Sequence, residues 1–350
     1  MVKQFNHQFL KIGLLQKQNN GAVQCFICER KCKLAEGKFG YCRTRVNNGG
    51  KIYTIVYGLI PAISFNPIEK KPFYHFFPGS TAITIGTYGC NFNCFWCQNH
   101  HLSHPTEKIY TLADNISQYI DPEDIIKMAL HNLSQGTSVS FNEPTLLFEY
   151  SLRLFKLAKK EGLYNTFVSN GYMTEVVLHE LIDSGLDAIN IDIKGDAKMV
   201  KKYCDADNEK VWRNISSAKE QRVHVEITTL LLEGFNTDKR IIRTIANKVA
   251  NEVGAETPFH ISRGFPYFKS DLYKFNHPTQ MNILYKAREV AINSGLKHVY
   301  IGNIKNNSFQ NTKCPNCSQI VIERNGYSIS KINLDKNGRC SYCGHFISII

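Results

Sequence analysis

The spacing Cys90-x3-Cys94-x2-Cys97 constrains this chain most, because three thiols held this close follow directly on the strand-like run Ala82 to Gly86. Structural zinc sites and iron-sulfur clusters held wholly by protein take four protein ligands. A three-cysteine site therefore leaves one metal position for water, substrate or cofactor. An open position suggests chemistry. The competing reading is a structural metal knuckle that borrows a distant fourth ligand, and spacing alone leaves it standing.

The other cysteines extend the theme. Eleven of the twelve fall in three tight clusters, and in a reducing compartment such clusters read as metal ligands rather than disulfides. Only Cys204 stands apart, and it reads as structural. Cys25-x2-Cys28-x3-Cys32-x9-Cys42 supplies four thiolates, enough for a closed structural Zn²⁺ site or for a second iron-sulfur cluster. Cys314-x2-Cys317 and Cys340-x2-Cys343, separated by 22 residues, form a zinc-ribbon or rubredoxin-like pair of knuckles around a hairpin over 319–332. Thiolate-only ligation there suits Zn²⁺ or a single iron. The start of the chain has no apolar leader core, and the most apolar stretch, Thr54 to Phe65, is broken by Gly58 and Pro61. A cytoplasmic protein without a membrane partner is expected. A net charge of +12 favours acidic partners, nucleic acid among them, although the lysines are scattered rather than run together.

The triad, with Trp96 just before its last cysteine, resembles the signature of the radical S-adenosylmethionine (SAM) superfamily. That resemblance implies a 4Fe-4S cluster on Cys90, Cys94 and Cys97 whose fourth iron is chelated by the amino and carboxylate groups of SAM. It implies in turn an electron donor such as flavodoxin or ferredoxin, reductive cleavage of SAM to a 5′-deoxyadenosyl radical, and hydrogen abstraction from a substrate. The cofactors carry that chemistry and the protein its geometry. The N-terminal four-cysteine module, the Pro- and aromatic-rich stretch Asn66 to Gly79 and Cys97-Gln98-Asn99 narrow the likeness. Together they resemble the radical SAM enzymes of the AmmeMemoRadiSam system, relatives of the pyruvate formate-lyase activating enzymes, over nearly the whole chain. The aromatic-rich stretch is expected to pack on the core near the cluster.

After the triad, strand and helix signals alternate. Asp121-Pro122-Glu123 opens a helix, and further helices are predicted over 146–160, 174–184, 208–221, 237–253 and 279–294. Strands are predicted over 137–141, 164–168, 188–193, 223–230, 258–262 and 299–301. A strand is also expected from Lys51 towards Phe65, where Tyr53, Ile55, Tyr57 and Leu59 alternate. Repeated βα units demand a parallel sheet. Periodicity alone allows a doubly wound open sheet, whereas the resemblance implies an α/β fold with a partial TIM-like (β/α)6 barrel. The expected domains are 1–75 (four-cysteine module and lead-in), 76–308 (barrel) and 309–350 (ribbon).

Strand ends should carry the chemistry. By resemblance, Asn142 and Glu143 lie where the SAM ammonium binds, and an ammonium needs an oxygen acceptor. Helix capping by Asn142 is the plain alternative. Ser169, Asn170, Asp192 and Lys194 are implied to line the methionyl and ribose parts of SAM, although Asp192 and Lys194 share a strand face and suit mutual neutralisation. Glu226 and Thr228 share a face of their strand and read either as cofactor contacts or as paired core polars. His260 and Arg263 fall where adenosine contacts are expected. The resemblance favours a partner protein as hydrogen donor, with a nucleic acid or a small metabolite as alternatives. A metal-binding module without turnover is disfavoured by so many candidate SAM contacts.

Overall fold

The computed structural model describes residues 7–115, 119–305 and 308–350, so the opening Met1 to Asn6 lies outside the described residues. Its centre is an eight-stranded sheet in which spatial order follows chain order. The strands are β1 (Ala62–Pro67), β2 (Thr81–Gly86), β3 (Gly136–Val139), β4 (Tyr164–Ser169), β5 (Ala188–Asp192), β6 (His224–Leu231), β7 (Phe259–Arg263) and β8 (Val299–Gly302). β1 pairs antiparallel with β2, and each later pair is parallel. Parallel neighbours need a crossover, and helices Pro122–His131, Phe148–Lys160, Glu175–Asp183, Asn208–Glu220, Lys239–Lys248 and Met281–Asn293 supply them. Both faces of the sheet are covered, so β3 is buried along its whole length and β5 and β6 along nearly all of theirs.

Local chemistry starts the helices where the sequence says they start. Asp121 accepts from the Glu123 backbone N–H ahead of Pro122, and Thr174, Asp207 and Asp238 cap their helices in the same way. The predicted helix over 237–253 closes with a wider turn, Val249–Gly254.

Two expectations are corrected. The alternation from Lys51 to Phe65 is not one strand: Lys51–Thr54 pairs with Arg45–Asn48, the chain then turns at Gly58 (φ +75°), and Ala62–Pro67 joins the large sheet. Gly58 also lies so close to the Tyr119 ring that no side chain fits there. The aromatic-rich stretch does not gather at the cysteine triad either. Phe73 and Phe76 pack with Ala82, Tyr164 and Ala188, residues at or near the N-terminal ends of β2, β4 and β5, at the opposite end of the sheet from the triad. Only its Lys70, Lys71 and Pro72 reach the triad's side.

Before the sheet, Gln16–Asn19, Ala22–Cys25 and Lys33–Leu34 form one small antiparallel sheet, and Lys11–Ile12, Lys51–Thr54 and Arg45–Asn48 form another. Val23, Cys25, Val46 and Ile52 belong to the same continuous core as the central sheet. A buried ion pair ties this region down: Arg45 Nη1 and Nη2 donate to Glu149 Oε1 and Oε2 at 2.8 and 2.7 Å, and the Leu14 N–H donates to Oε1 at 2.9 Å. At the other end, Thr312–Lys313, Ile320–Asn325 and Ser328–Ile332 form a third small sheet around its own core of Cys314, Val321, Cys340 and Ile347. The buried Arg324 docks it, donating to the Tyr74 carbonyl at 2.7 Å, while the final Ile350 pairs with His75 and Phe77. Among the described residues no helix is long and apolar enough to cross a membrane.

Candidate active site

A cavity of about 460 Å³ opens at the C-terminal ends of the parallel strands, and Cys90, Cys94 and Cys97 line it. The loop that carries them is braced from the neighbouring strand ends. Asn142 Nδ2 donates to the Gly89 carbonyl at 2.9 Å, and its Oδ1 accepts from the Thr87 N–H at 3.1 Å. Asn170 Nδ2 donates to Asn91 Oδ1 at 2.7 Å. Capping falls not to Asn142 but to Glu143, whose carboxylate accepts from the Thr145 N–H of the turn Pro144–Leu147. The same carboxylate accepts from Ser169 Oγ at 2.8 Å and from the Asn170 N–H at 2.9 Å, joining the ends of β3 and β4. Burial raises the Glu143 carboxyl above its usual range, against the pull of these donors.

Asp192 and Lys194 form an ion pair on the cavity wall. Burial alone would lower the Lys194 ammonium, but Asp192 beside it and the nearby Cys94 raise it, so it stays charged. Burial pushes the Cys90 and Cys97 thiols up. Cys94 is lowered instead, first by the hydrogen bond from Cys204, whose Sγ lies 3.5 Å from Cys94 Sγ.

A sequence profile of the radical SAM superfamily matches residues 84–245. An uncharacterized protein of Methanocaldococcus jannaschii is 37% identical over 96% of this chain and 98% of its own length. A second protein of that organism, named by inference a glycyl-radical enzyme activating enzyme, is 31% identical over 61% of this chain and 78% of its own length. This chain belongs to the radical SAM superfamily. A (2S)-3-sulfopropanediol dehydratase activating enzyme of Klebsiella oxytoca is also similar, 25% identical over 47% of this chain and 51% of that protein. The chain is thus an enzyme of the radical SAM type, related to activating enzymes.

Radical SAM membership implies a 4Fe-4S cluster and SAM, and the residues present fit them. Beside the three cysteines the lining includes three buried polar atoms without a protein partner: Asn190 Oδ1, Asp192 Oδ1 and Thr228 Oγ1. Buried polar atoms are nearly always paired, so three orphans around one cavity mark where a polar ligand belongs. Trp96, Asn142, Glu143, Ser169, Asn170, Asp192, Lys194 and Thr228 all line the cavity, as does Val168.

Glu226, His260 and Arg263 do not line it. Glu226 is fully buried and accepts from the Tyr74 and His75 N–H groups and from the imidazoles of His224 and His260, at 2.6 to 3.0 Å. Its work is to anchor the Phe73–Phe77 segment. Arg263 Nε donates to the Thr279 carbonyl at 2.8 Å.

Two lining residues went unread in the sequence, and a neighbouring one was read only as structural. Lys71 is buried against the Phe141 ring, 4.5 Å from its centroid, and burial, then Lys70, lower its ammonium to about 7. Tyr327, at the tip of the tail hairpin, lines the cavity from outside the strands that form it, and no local signal points there. Cys204 meets Cys94 from 110 positions along the chain, and only the fold brings the two together.

In the tail, Cys314 Sγ lies 3.6 Å from Cys343 Sγ and Cys317 Sγ 3.7 Å from Cys340 Sγ, with all four sulfurs within 4.8 Å of one another. A tetrahedral ion with metal–sulfur bonds of about 2.3 Å has sulfur–sulfur edges of about 3.8 Å, so this quartet is sized for a single metal ion.

Proposed function

We propose that this radical SAM enzyme holds its 4Fe-4S cluster on Cys90, Cys94 and Cys97, binds SAM along the ends of β3 to β6, and takes hydrogen from a partner protein. The observation that carries the site is one cavity in which three cysteines face three unpartnered buried polar atoms. When bound, cluster and SAM supply the one-electron chemistry: cleavage of a carbon–sulfur bond and hydrogen abstraction. The chain's own groups do the positioning. Asn142 fixes the backbone just before Cys90. Glu143 orients Ser169 and Asn170 and presents a carboxylate for an ammonium. Asp192 offers its free Oδ1 to hydroxyl donors while Lys194 neutralises the other oxygen. Trp96 and Thr228 complete the wall.

This reading includes a curvature of the parallel strands into a partial (β/α)6 barrel, with the chain divided at about residues 75 and 308. It includes zinc or iron in the tail and a flavodoxin or ferredoxin as electron donor. A protein substrate is supported by the activating-enzyme names of two relatives and by Tyr327, which brings the tail extension to the cavity rim. A small acidic metabolite is the second reading, favoured by Lys71, a buried amine on the cavity wall that an anionic ligand would hold protonated and for which no acidic partner is seen among the described residues.

Two experiments test these claims. Anaerobically reconstituted protein with dithionite and SAM is expected to form 5′-deoxyadenosine, and Cys94→Ala to form none; equal product from both would refute the site. With deuterium-labelled cell extract split by size, label is expected in 5′-deoxyadenosine chiefly from the macromolecular fraction. Label from the filtrate alone would leave the metabolite reading.

A further inference from the structure

The N-terminal quartet Cys25, Cys28, Cys32 and Cys42 differs from the tail quartet in one measurable respect. The tail sulfurs are packed as a single ion requires. Among the described residues, which include all four N-terminal cysteines, no three N-terminal sulfurs lie within 4.8 Å of one another. The catalytic trio Cys90, Cys94 and Cys97 is spread in the same way, and its family places a four-iron cluster there. A zinc ion with bonds of about 2.3 Å would have to draw the N-terminal sulfurs together, whereas a cubane of irons and sulfides bridges wider gaps.

The space between these sulfurs is a built site. All four cysteines line one pocket, and Arg45 lines it with them. Arg45 is 2% exposed; its two terminal nitrogens are spent on Glu149, and its Nε is buried without a partner. A guanidinium with an unspent N–H beside four thiols suits an anionic, thiolate-held centre, because hydrogen bonds to such sulfurs and nearby charge stabilise it. The Thr44 hydroxyl, 3.2 Å from Cys42 Sγ, adds a second donor.

This pocket abuts the catalytic loop. The Cys42 carbonyl and the Thr44 methyl press on Gly89, the residue before Cys90, so closely that an added Cβ would meet them at 2.5 and 2.6 Å. Arg30, two residues past Cys28, donates to the Asn91 carbonyl and to the Cys204 carbonyl, both at 2.9 Å. Cys32 is only partly buried, whereas Cys25, Cys28 and Cys42 are buried, so the quartet is open to an external carrier at Cys32.

We propose that Cys25, Cys28, Cys32 and Cys42 hold a second 4Fe-4S cluster, not zinc, close enough to exchange electrons with the cluster at Cys90, Cys94 and Cys97. A low-potential one-electron carrier reduces the N-terminal cluster by one electron; that cluster is reoxidised as the catalytic cluster is reduced by one electron, and no proton or bond changes place. The proposal is independent of what the hydrogen donor is.

The test uses the full chain, purified anaerobically, with iron, sulfide and zinc analysis and Mössbauer spectra. Wild type is expected to carry two four-iron clusters, and Cys90→Ser/Cys94→Ser/Cys97→Ser to keep one, with about four iron and four sulfide beyond the tail metal. Zinc at the N-terminal quartet, read as one zinc per chain beyond the tail metal with only one cluster in wild type and none in the variant, would overturn it. Should the triple variant fail to fold, the wild-type iron, sulfide and zinc ratios decide alone. In dithionite-reduced wild type, EPR lines broadened by spin coupling are expected, and the broadening is expected to vanish in both the triple variant and Cys25→Ser/Cys42→Ser. A wild-type spectrum equal to the sum of the two variants' spectra would refute the electronic contact.

Discussion

Replacing Glu226 by Gln separates a structural from a cofactor-binding role for this carboxylate. Both oxygens of Glu226 face only donors: Oε1 takes the Tyr74 and His75 N–H groups at 2.9 and 2.8 Å and His224 Nε2 at 3.0 Å, and Oε2 takes His260 Nε2 at 2.6 Å. Gln is nearly isosteric but puts an NH₂ against one of these sets in either orientation. The exchange removes at least one charge-assisted hydrogen bond, worth about 1.5–3 kcal/mol, and leaves a buried donor without an acceptor at about 1–3 kcal/mol more. Removing one partner of a buried charged network costs about 3–5 kcal/mol by the same logic, so a loss of that size is expected. Urea unfolding near neutral pH measures it: the midpoint should fall with the slope unchanged. Burial alone would raise the Glu226 carboxyl, but hydrogen bonds from His224 and His260 outweigh it and hold the group far below the usual carboxylate range. A depressed folded pKa stabilises the protein above the unfolded value of about 4.3, and that stability is lost as pH falls through the folded value. Glu226→Gln should flatten this acid limb. A loss below about 1 kcal/mol together with weakened SAM binding would refute the anchoring role and restore the cofactor contact.

Lys71→Met should stabilise the protein near pH 7. With its folded value lowered to about 7, the unfolded chain binds more protons between there and the lysine's ordinary value, so wild-type stability should rise with pH across that window and the variant's should not; identical pH profiles in thermal unfolding would contradict the burial argument. Cys314→Ser with Cys340→Ser should lose one metal and the tail's own ordering while the 4Fe-4S signal persists, because the small apolar core around Val321 and Ile347 is separate from the main core; a vanished cluster signal would show that the tail supports the active site. Gly89→Ala adds a Cβ against the Cys42 carbonyl at a φ of +87° and should reduce iron content at both cysteine sites in metal analysis, whereas unchanged iron would mean the two loops can part.

The cysteine clusters were legible in sequence because thiols two or three residues apart stay near one another in almost any backbone, and the βα alternation was legible because strands and helices impress periods of 2 and 3.6 residues on their own segments. Asn142, Glu143, Ser169 and Asn170 were named by resemblance, and they come together at the cavity because successive parallel strands deliver their C-terminal ends and loops to one edge. Height along a strand was not legible. Glu226 and Thr228 share a face of β6, yet Thr228, nearer the C-terminal end, lines the cavity, and Glu226, two residues earlier, meets the aromatic segment instead. Lys71 was one of many scattered lysines, and burial came from Phe141 and the chain folded around it. Cys204 looked solitary until the turn Val200–Cys204 brought it to Cys94. The sequence by itself determined which groups are available for chemistry and which local elements carry them. The tertiary structure decided which of those groups share a cavity, because contacts between residues a hundred positions apart depend on packing that no local pattern encodes.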